Sequence, residues 1–430
     1  MGSFADAATF ARKGLRSSIG RNVISLYILQ FGNYVLPLAT VPYLVRALGP
    51  EKFGLVAFGQ GLMAYFSLVV NYGFDWSATR KIAVERDDPE RVNRIAANVW
   101  AAKALLCAAT AAVLLVLLRV APKLHEARTL LLILYISVAA SVLFPVWLFQ
   151  GLERMSVISV TNLGVRALGA AALFVFVHRP GDFLRYAVVL AAQAICAGLV
   201  GAVTAFRMFR LRLAQPSWRG IFREMSDSTP FFFTTAAVSL YTSGNAFVLG
   251  LMTNPAAVGY YSAAEKIITS VVGLLGPLSQ AVYPQFSRLA RESRTQALLW
   301  ARKMLLVTGS GSLILSVSLF AGAPWIVEIL LGPKYAPSAA VITILSPLPI
   351  LIAVSNVLGV QLLFPFGHER SVLAIVLAAG AINITLACLL APRWQASGMA
   401  AAVILSEAFV AVAYFAWTWN SNLNPLDISP

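Results

Sequence analysis

GYYSAAEKIITSVVGLLGPLSQAVYP, residues Gly259–Pro284, decides the fold. The stretch is long and apolar enough to cross a bilayer. Yet it carries Glu265 and Lys266 about two turns inside its start. A charge at the centre of a spanning helix costs roughly 2.5–3.5 kcal/mol on insertion scales, so it seldom faces lipid. At helical spacing Ser262, Lys266, Thr269, Gly273, Pro277 and Gln280 share one face. Tyr261, Glu265, Ile268 and Val272 fall on a neighbouring face, about 100° away. Adjacent residues do not face each other on a helix, so Glu265 is not an obvious partner for Lys266. The spacing predicts a polar stripe, with a cation on it, running through the membrane beside something wet. The alternative is an ion pair buried against another helix.

The rest of the chain has the composition this stretch implies. The 430 residues are 59% hydrophobic and only 12% charged, and the mean hydropathy is +0.77. A soluble domain is nearer half apolar and a quarter charged. The apolar residues come in runs of about 20 rather than in alternation, which predicts an all-α integral membrane protein and not a β-barrel. The net charge of +15 is expected from the cytoplasmic bias of Lys and Arg, with no need for nucleic acid. Cys107, Cys196 and Cys388 all lie within apolar runs, against a disulfide framework or thiolate metal site. Arg12, Lys13, Arg16 and Arg21 precede a run, 22–45, too long for a signal-peptide core and without a clear cleavage site. It is expected to be an uncleaved first span.

Twelve spans are expected, at 22–45, 53–76, 98–118, 129–151, 156–177, 184–206, 229–252, 258–286, 301–322, 338–364, 371–391 and 397–419. An even number puts both termini on one side. The segments that include 77–97, 207–228 and 287–300 hold about twice as many Lys and Arg as the opposite set, which makes them, and both termini, cytoplasmic. The inner loops are expected to lie on the headgroups as short amphipathic helices. The expected organisation is a cytoplasmic segment 1–21, an N-lobe 22–206, a linker 207–228, a C-lobe 229–419 and a cytoplasmic tail 420–430.

The two halves look related. Gly49-Pro50-Glu51-Lys52-Phe53-Gly54 resembles Asn254-Pro255-Ala256-Ala257-Val258-Gly259, in the equivalent outer loop. Gly151-Leu152-Glu153-Arg154 resembles Gly367-His368-Glu369-Arg370, in the equivalent inner loop. Such duplication predicts two parallel six-helix repeats around a central cavity, a transporter architecture. The charges are not duplicated. Gln60 and Gly61 stand where Glu265 and Lys266 stand in the second half.

Polar residues in a bilayer turn toward the bundle or toward water. In span one Gln30, Asn33, Pro37 and Thr40 share a face, and Pro37 and Pro42 are expected to kink the helix. In span two Gln60, Ser67, Asn71 and Asp75 share a face; in span seven Thr235, Ser239 and Thr242 do. Interhelical hydrogen bonding is the plain alternative for these. Arg166, in mid-span five, cannot shed its charge and needs an anion or a wet cavity. Arg46 and Lys103 lie near span ends, within snorkelling reach of the interface. Glu407 lies half-way along span twelve, to be paired with a cation or protonated. Asp75 is close to Arg80. His125, His178 and His368 are scattered in loops, and no metal site or cofactor is expected. The sequence holds no phosphate-gripping glycine loop and no nucleophile elbow.

Four segments carry a family resemblance: PYLVRALGPEKFGLVAFGQ (42–60), NYGFDWSATRKIA (71–83), GYYSAAEKIITSVVGLLGPLSQAVYPQFS (259–287) and NVLGVQLLFPFGHE (356–369). They resemble the Wzx-type polysaccharide flippases of the multidrug/oligosaccharidyl-lipid/polysaccharide exporter superfamily. The resemblance covers nearly the whole chain. It implies twelve helices in two six-helix lobes around a cavity. It also implies movement of an undecaprenyl-pyrophosphate-linked oligosaccharide across the bacterial inner membrane. The family's positive cavity charge matches Lys266 and extends to Arg46 and Arg166. Beside these cations, Gln30, Asn33, Gln60, Asn71 and Gln280 are the expected substrate contacts. Glu265, Glu407 and Asp75 are the expected coupling carboxylates for a proton or sodium ion. Membrane lipids and other polysaccharide assembly proteins complete the expected partners. The competing expectation is an ion-coupled drug/cation antiporter of the same superfamily, which would use an acidic cavity. A membrane glycosyltransferase needs paired carboxylates or a large outer loop, which the sequence lacks.

Overall fold

The computed structural model describes the backbone of residues 18–212 and 214–426. It describes side chains from residue 39 onward, except at positions 213, 240, 241, 277, 280 and 281. The described residues contain helices and no strand. Helix α1, Ser18–Asn71, runs through Pro37 and Pro42 without leaving helical assignment and breaks at Gly49 (φ 72°, ψ 169°). That backbone shape strains any side chain, so glycine sits there. Tyr72 (φ 45°) and Gly73 (φ 77°) end the helix, and α2, Phe74–Val84, starts afresh. Asp75 therefore lies in the first turn of a new helix. The face it was expected to share with Gln60, Ser67 and Asn71 does not carry across the break.

Helix α3, Pro89–Val120, opens on Asp88, whose carboxylate accepts from the backbone N–H groups of Glu90 and Arg91, with Pro89 at the first helical position. Next come α4 (Pro122–Glu126), α5 (Arg128–Ser141), α6 (Val146–Gly151), α7 (Met155–Phe176) and α8 (Phe183–Met208). Helix α9, Trp218–Thr242, is capped by Ser217 and followed by α10 (Asn245–Met252) and α11 (Pro255–Gly273). Leu274 and Leu275 interrupt the chain before α12, Gly276–Glu292. Pro277 and Gln280 thus sit on a different helix from Lys266, and the expected continuous stripe is divided. Helix α13, Arg294–Ile326, ends in the wider π turn Val327–Leu331. Then follow α14 (Ser338–Leu345), α15 (Leu348–Ser355), a π stretch Asn356–Leu363 and α16 (Glu369–Asn420).

Eight helical segments among the described residues are long and apolar enough to cross a membrane. In the best windows of several, only 28% of residues are buried, α3 and α7 among them. Leu115, Val116 and Val120 are each more than half exposed. Water would not solvate so much apolar surface, and lipid does. The chain is a multi-pass membrane protein.

Helix α16 is a hairpin. It breaks at Gln395 (φ 49°, ψ −124°). Across the break the Asn383 amide donates to Ser406 Oγ at 3.2 Å, and Trp417 Nε1 donates to His368 Nδ1 at 3.4 Å. Residues on the two arms meet at matching distances from the break, so the arms are antiparallel.

The described chain forms two compact units, one within residues 42–262 with 391–396, the other within 18–41, 263–390 and 397–426. In the first, the segment 50–84 runs antiparallel to 218–259. Lys81 meets Glu224 at 2.7 Å. Ser77 Oγ meets Ser228 Oγ at 2.5 Å. The Tyr72 ring stacks on Phe232 with centroids 4.6 Å apart. Phe58 stacks on Phe247. At the far end a Cβ on Gly54 would fall on the Pro255 carbonyl oxygen, and one on Gly259 on that of Pro50. The two similar outer-loop words thus press against each other reciprocally. Beneath α2, a core of Phe74, Ile82, Val99, Trp147 and Phe149 is closed to solvent.

Candidate functional site

In the second unit Lys266 lies mid-way along α11 and is half-buried. Its ammonium makes no hydrogen bond or ion pair within 4.0 Å among the described residues; Glu265, also half-buried, attracts it at longer range. The Ser270 hydroxyl donates to the Lys266 carbonyl oxygen at 2.7 Å, and Thr269 to that of Glu265 at 2.8 Å. These hydroxyls are spent on their own helix and leave the ammonium alone.

Two turns further on, Gly273 and Gly276 border a cavity of about 250 Å³. Its polar wall is Ser279, Asn356 and Gln361, with Thr308 opposite. Ser279 Oγ donates to Asn356 Oδ1 at 2.5 Å. The Gln361 amide nitrogen donates to Ser279 Oγ at 3.0 Å and to Asn356 Oδ1 at 3.2 Å. Gln361 is 2% exposed, and its Oε1 is buried with no hydrogen-bond partner among the described residues. Asn356 and Gln361 both belong to the π stretch, whose extra residue per turn re-aims side chains and often marks functional helices. Sequence reading missed this cluster. Its signal was a pair of amides five apart in an apolar run, which α-helical spacing puts on different faces and π spacing brings together.

Glu407, on the second arm of α16, is 8% exposed and has no ion pair or hydrogen bond among the described residues. Of the two states expected for it, paired with a cation or protonated, the cation pair is not seen among the described residues. Its neighbours Asn383 and Ser406 are fully buried and bonded to each other.

In the first unit the expected residues are dispersed. Arg46 and Arg166 are exposed, each with an interaction of its own. Gln60 hydrogen-bonds the buried Tyr186. Asn71 is half-buried at the end of α1. Asp75 is half-buried, and the opposite charge it feels is Lys103, not Arg80. Lys103 does not snorkel. It is 2% exposed and donates to the Ser141 carbonyl oxygen at 3.1 Å. The apolar run starts at 98, but α3 starts at Pro89, so Lys103 sits near the helix middle. The side chains of Gln30, Asn33 and Gln280 lie outside the described residues. Sequence reading also missed the junction of α2 and α9, where Lys81 holds Glu224 at 2.7 Å and Asp227 at 2.6 Å.

The family model described as "Polysaccharide biosynthesis protein" matches residues 19–290. A protein of Escherichia coli (strain K12) named "Putative O-antigen transporter" is 31% identical over 94% of this chain and 98% of its own length. A protein of the same name from Shigella dysenteriae is 28% identical over 91% and 97%. Among solved structures, the lipid II flippase MurJ in an inward closed conformation superposes with a TM-score of 0.72 at 13% identity, over 93% of this chain and 87% of that one. An inward-facing multidrug resistance MATE family transporter of the MOP superfamily gives 0.67 at 15% identity, over 93% and 96%. These two likenesses are of fold. The match to the family model and the near full-length relatives make this chain a member of the polysaccharide biosynthesis protein family.

Proposed function

We propose that this protein is a flippase that carries an undecaprenyl-pyrophosphate-linked oligosaccharide across the bacterial inner membrane by alternating access. Twelve crossings, with both termini in the cytoplasm, are part of the proposal, as are the lobes 22–206 and 229–419. The observation that carries it is Lys266, a half-buried cation with no ion pair within 4.0 Å among the described residues, on an apolar helix of a chain whose curated relatives are named as O-antigen transporters. Two phosphate charges cannot enter hydrocarbon unless cations and donors replace their hydration. Lys266 supplies such a charge, and Arg46 and Arg166 are further candidates. The amide and hydroxyl cluster of Ser279, Asn356 and Gln361 has the chemistry to bind sugar hydroxyls, with an acceptor oxygen still open on Gln361. The polyprenyl tail stays in lipid while the head crosses. Glu407, Glu265 and Asp75 are the proposed proton or sodium sites, and other polysaccharide assembly proteins the proposed partners.

The test is complementation of a strain lacking its polysaccharide flippase. Lys266→Ala is expected to lower surface polysaccharide at least tenfold and to accumulate lipid-linked intermediate, at normal protein level. Lys266→Arg is expected to retain activity. Full activity of Lys266→Ala would overturn the role of the cation. Transport indifferent to both proton and sodium gradients in the same strain would remove the coupling carboxylates from the proposal.

A further inference from the structure

A second polar cavity lies in the first unit, between α2, α3 and the start of α9, and is independent of the flippase reading. It measures about 540 Å³ and is lined by Arg80, Arg91, Arg94 and Arg223, with Lys81 and Glu224 in its wall. Most of this charge is not neutralised. Arg91 is held by Glu85 at 2.8 Å and by Asp88 at 3.1 Å. Lys81 is held by Glu224 and Asp227. The carboxylates that face the cavity, Glu85 and Glu224, are thus both engaged. Arg80, Arg94 and Arg223 make no ion pair among the described residues.

The cavity is a built recess and not an open loop. Asn98 Oδ1 accepts from the backbone N–H of Ser217 at 3.1 Å, tying the start of α9 to α3. Gly220 lets the two helices close up, since a Cβ there would run into the Asn98 side chain. Nearby, Asn93 Oδ1 accepts from the backbone N–H of Arg212 at 3.1 Å. Three guanidiniums on three fixed helices converge on one recess, and each presents a planar fork suited to phosphate oxygens.

The surroundings identify the source of the phosphate. Trp76, Arg80 and Val84 share a face of α2 at spacing of four, and Trp76 is 65% and Val84 76% exposed. On α9 Trp218 and Phe222, 67% and 61% exposed, flank the cavity-lining face of Gly220, Arg223 and Glu224. Exposed tryptophans gather at the boundary between hydrocarbon and headgroups. A recess for a soluble anion would not be ringed by exposed indoles and an apolar lip. We propose that this cavity binds the phosphate of an anionic membrane phospholipid, with Arg80, Arg94 and Arg223 as its donors. A lipid seated there would brace α2 against α3 and α9, beside the buried Lys81–Glu224 contact.

The experiment uses the full-length protein purified in detergent, with bound lipid read by native mass spectrometry. Phosphatidylglycerol and phosphatidylcholine are titrated separately, and inorganic pyrophosphate is added as a soluble competitor. A basic side chain near a surface is worth about 1 kcal/mol toward an anionic lipid, or about fivefold. Arg94→Gln and Arg223→Gln are each expected to weaken phosphatidylglycerol binding about fivefold, and Arg80→Gln/Arg94→Gln/Arg223→Gln on the order of a hundredfold. Phosphatidylcholine binding should not change. A control, Arg288→Gln/Arg291→Gln/Arg302→Gln, removes three exposed arginines of the other unit and should leave phosphatidylglycerol binding intact. Equal loss in the control, or no loss in the single variants, would overturn the proposal. So would pyrophosphate binding that depends on the three arginines without any preference for phosphatidylglycerol, because the recess would then take a soluble phosphate. If the triple variant does not fold, the two single variants decide.

Discussion

Lys81 shows how a single buried contact sets the cost of a mutation. Its ammonium bridges Glu224 and Asp227, and Glu224 is 5% exposed. Removing the cation leaves a carboxylate in a site that water barely reaches. Breaking a buried pair from one side costs on the order of 3–5 kcal/mol, most of it the stranded charge. Lys81→Met is therefore expected to lower stability by about 3 kcal/mol. Adding Glu224→Gln should recover most of that loss, since the only carboxylate then left without Lys81 is Asp227, which is 40% exposed to water. Thermal unfolding in detergent checks both; a double variant no more stable than Lys81→Met would sink the argument. Little of this was legible in the sequence. Lys81 and Glu224 both look like solvated members of basic loops, and nothing local says that α2 and α9 meet there. Lys266 was legible because a charge inside an apolar run has only a few physical fates. Lys103 is misread from sequence because apolarity marks where a helix enters lipid, not where the helix begins. Glu407 stands out for the same reason as Lys266, and of its two expected states the cation pair is not seen among the described residues.

At the scale of elements, the glycines explain why the outer-loop words repeat. Gly54 and Gly259 stand at the same place in two similar words, and each abuts the backbone of the other's word. The crossing of the two helices needs both positions bare. A methyl group at either forces the helices apart, at about 1–3 kcal/mol for an overpacked contact. Gly54→Ala and Gly259→Ala are expected to destabilise by that amount. Gly309, inside α13, has nothing within 4 Å of the place a methyl group would take. Gly309→Ala should stabilise by up to about 1 kcal/mol, since alanine is the better helix former. The opposite signs are the test, read as shifts in unfolding temperature, and a loss at Gly309 equal to that at Gly54 would contradict it. The sequence disclosed this duplication but not its contact, because similarity of two words says nothing about whether they touch. Helix breaks were legible in part. The prolines at 37 and 42 leave the helix unbroken and the break at Tyr72–Gly73, inside the expected span 53–76, was hidden, whereas the gaps expected at 46–52 and 392–396 do hold the non-helical Gly49 and Gln395. The last of these is a glutamine in a conformation that no propensity scale assigns to it.

For the whole molecule, the contacts bear on how often the chain crosses. Residues 218–252 contribute no helix to the eight long apolar ones, yet they run beside 58–81, from the Lys81–Glu224 contact to Phe58 against Gly250, roughly 35 Å of helix. That exceeds a hydrocarbon core of about 30 Å, so a partner matching it along its length also crosses. The basic segments agree. Within the first unit, segments expected inside contact one another, as in Arg86 with Glu153 at 3.4 Å and the Arg212 N–H on Asn93. Segments expected outside do likewise, with Lys123 Nζ on the Thr253 carbonyl oxygen at 3.1 Å, and the expected outer ends of spans one and five meet through Tyr43 Oη on the Val177 carbonyl oxygen at 2.6 Å. In the second unit Arg294 reaches the Asn422 carbonyl oxygen, joining an expected inner loop to the expected inner tail. This sorting predicts the outcome of reporter fusions. Alkaline phosphatase, active only outside the cytoplasm, should be active when fused after Lys123 or Asn254 and inactive after Arg86, Arg212, Glu292 or Asn422. The pair at Arg212 and Asn254 is the sharpest, because only a crossing by 218–252 separates them. Equal activity at those two positions would mean that this segment does not span, and with it would go the even count that puts both termini in the cytoplasm.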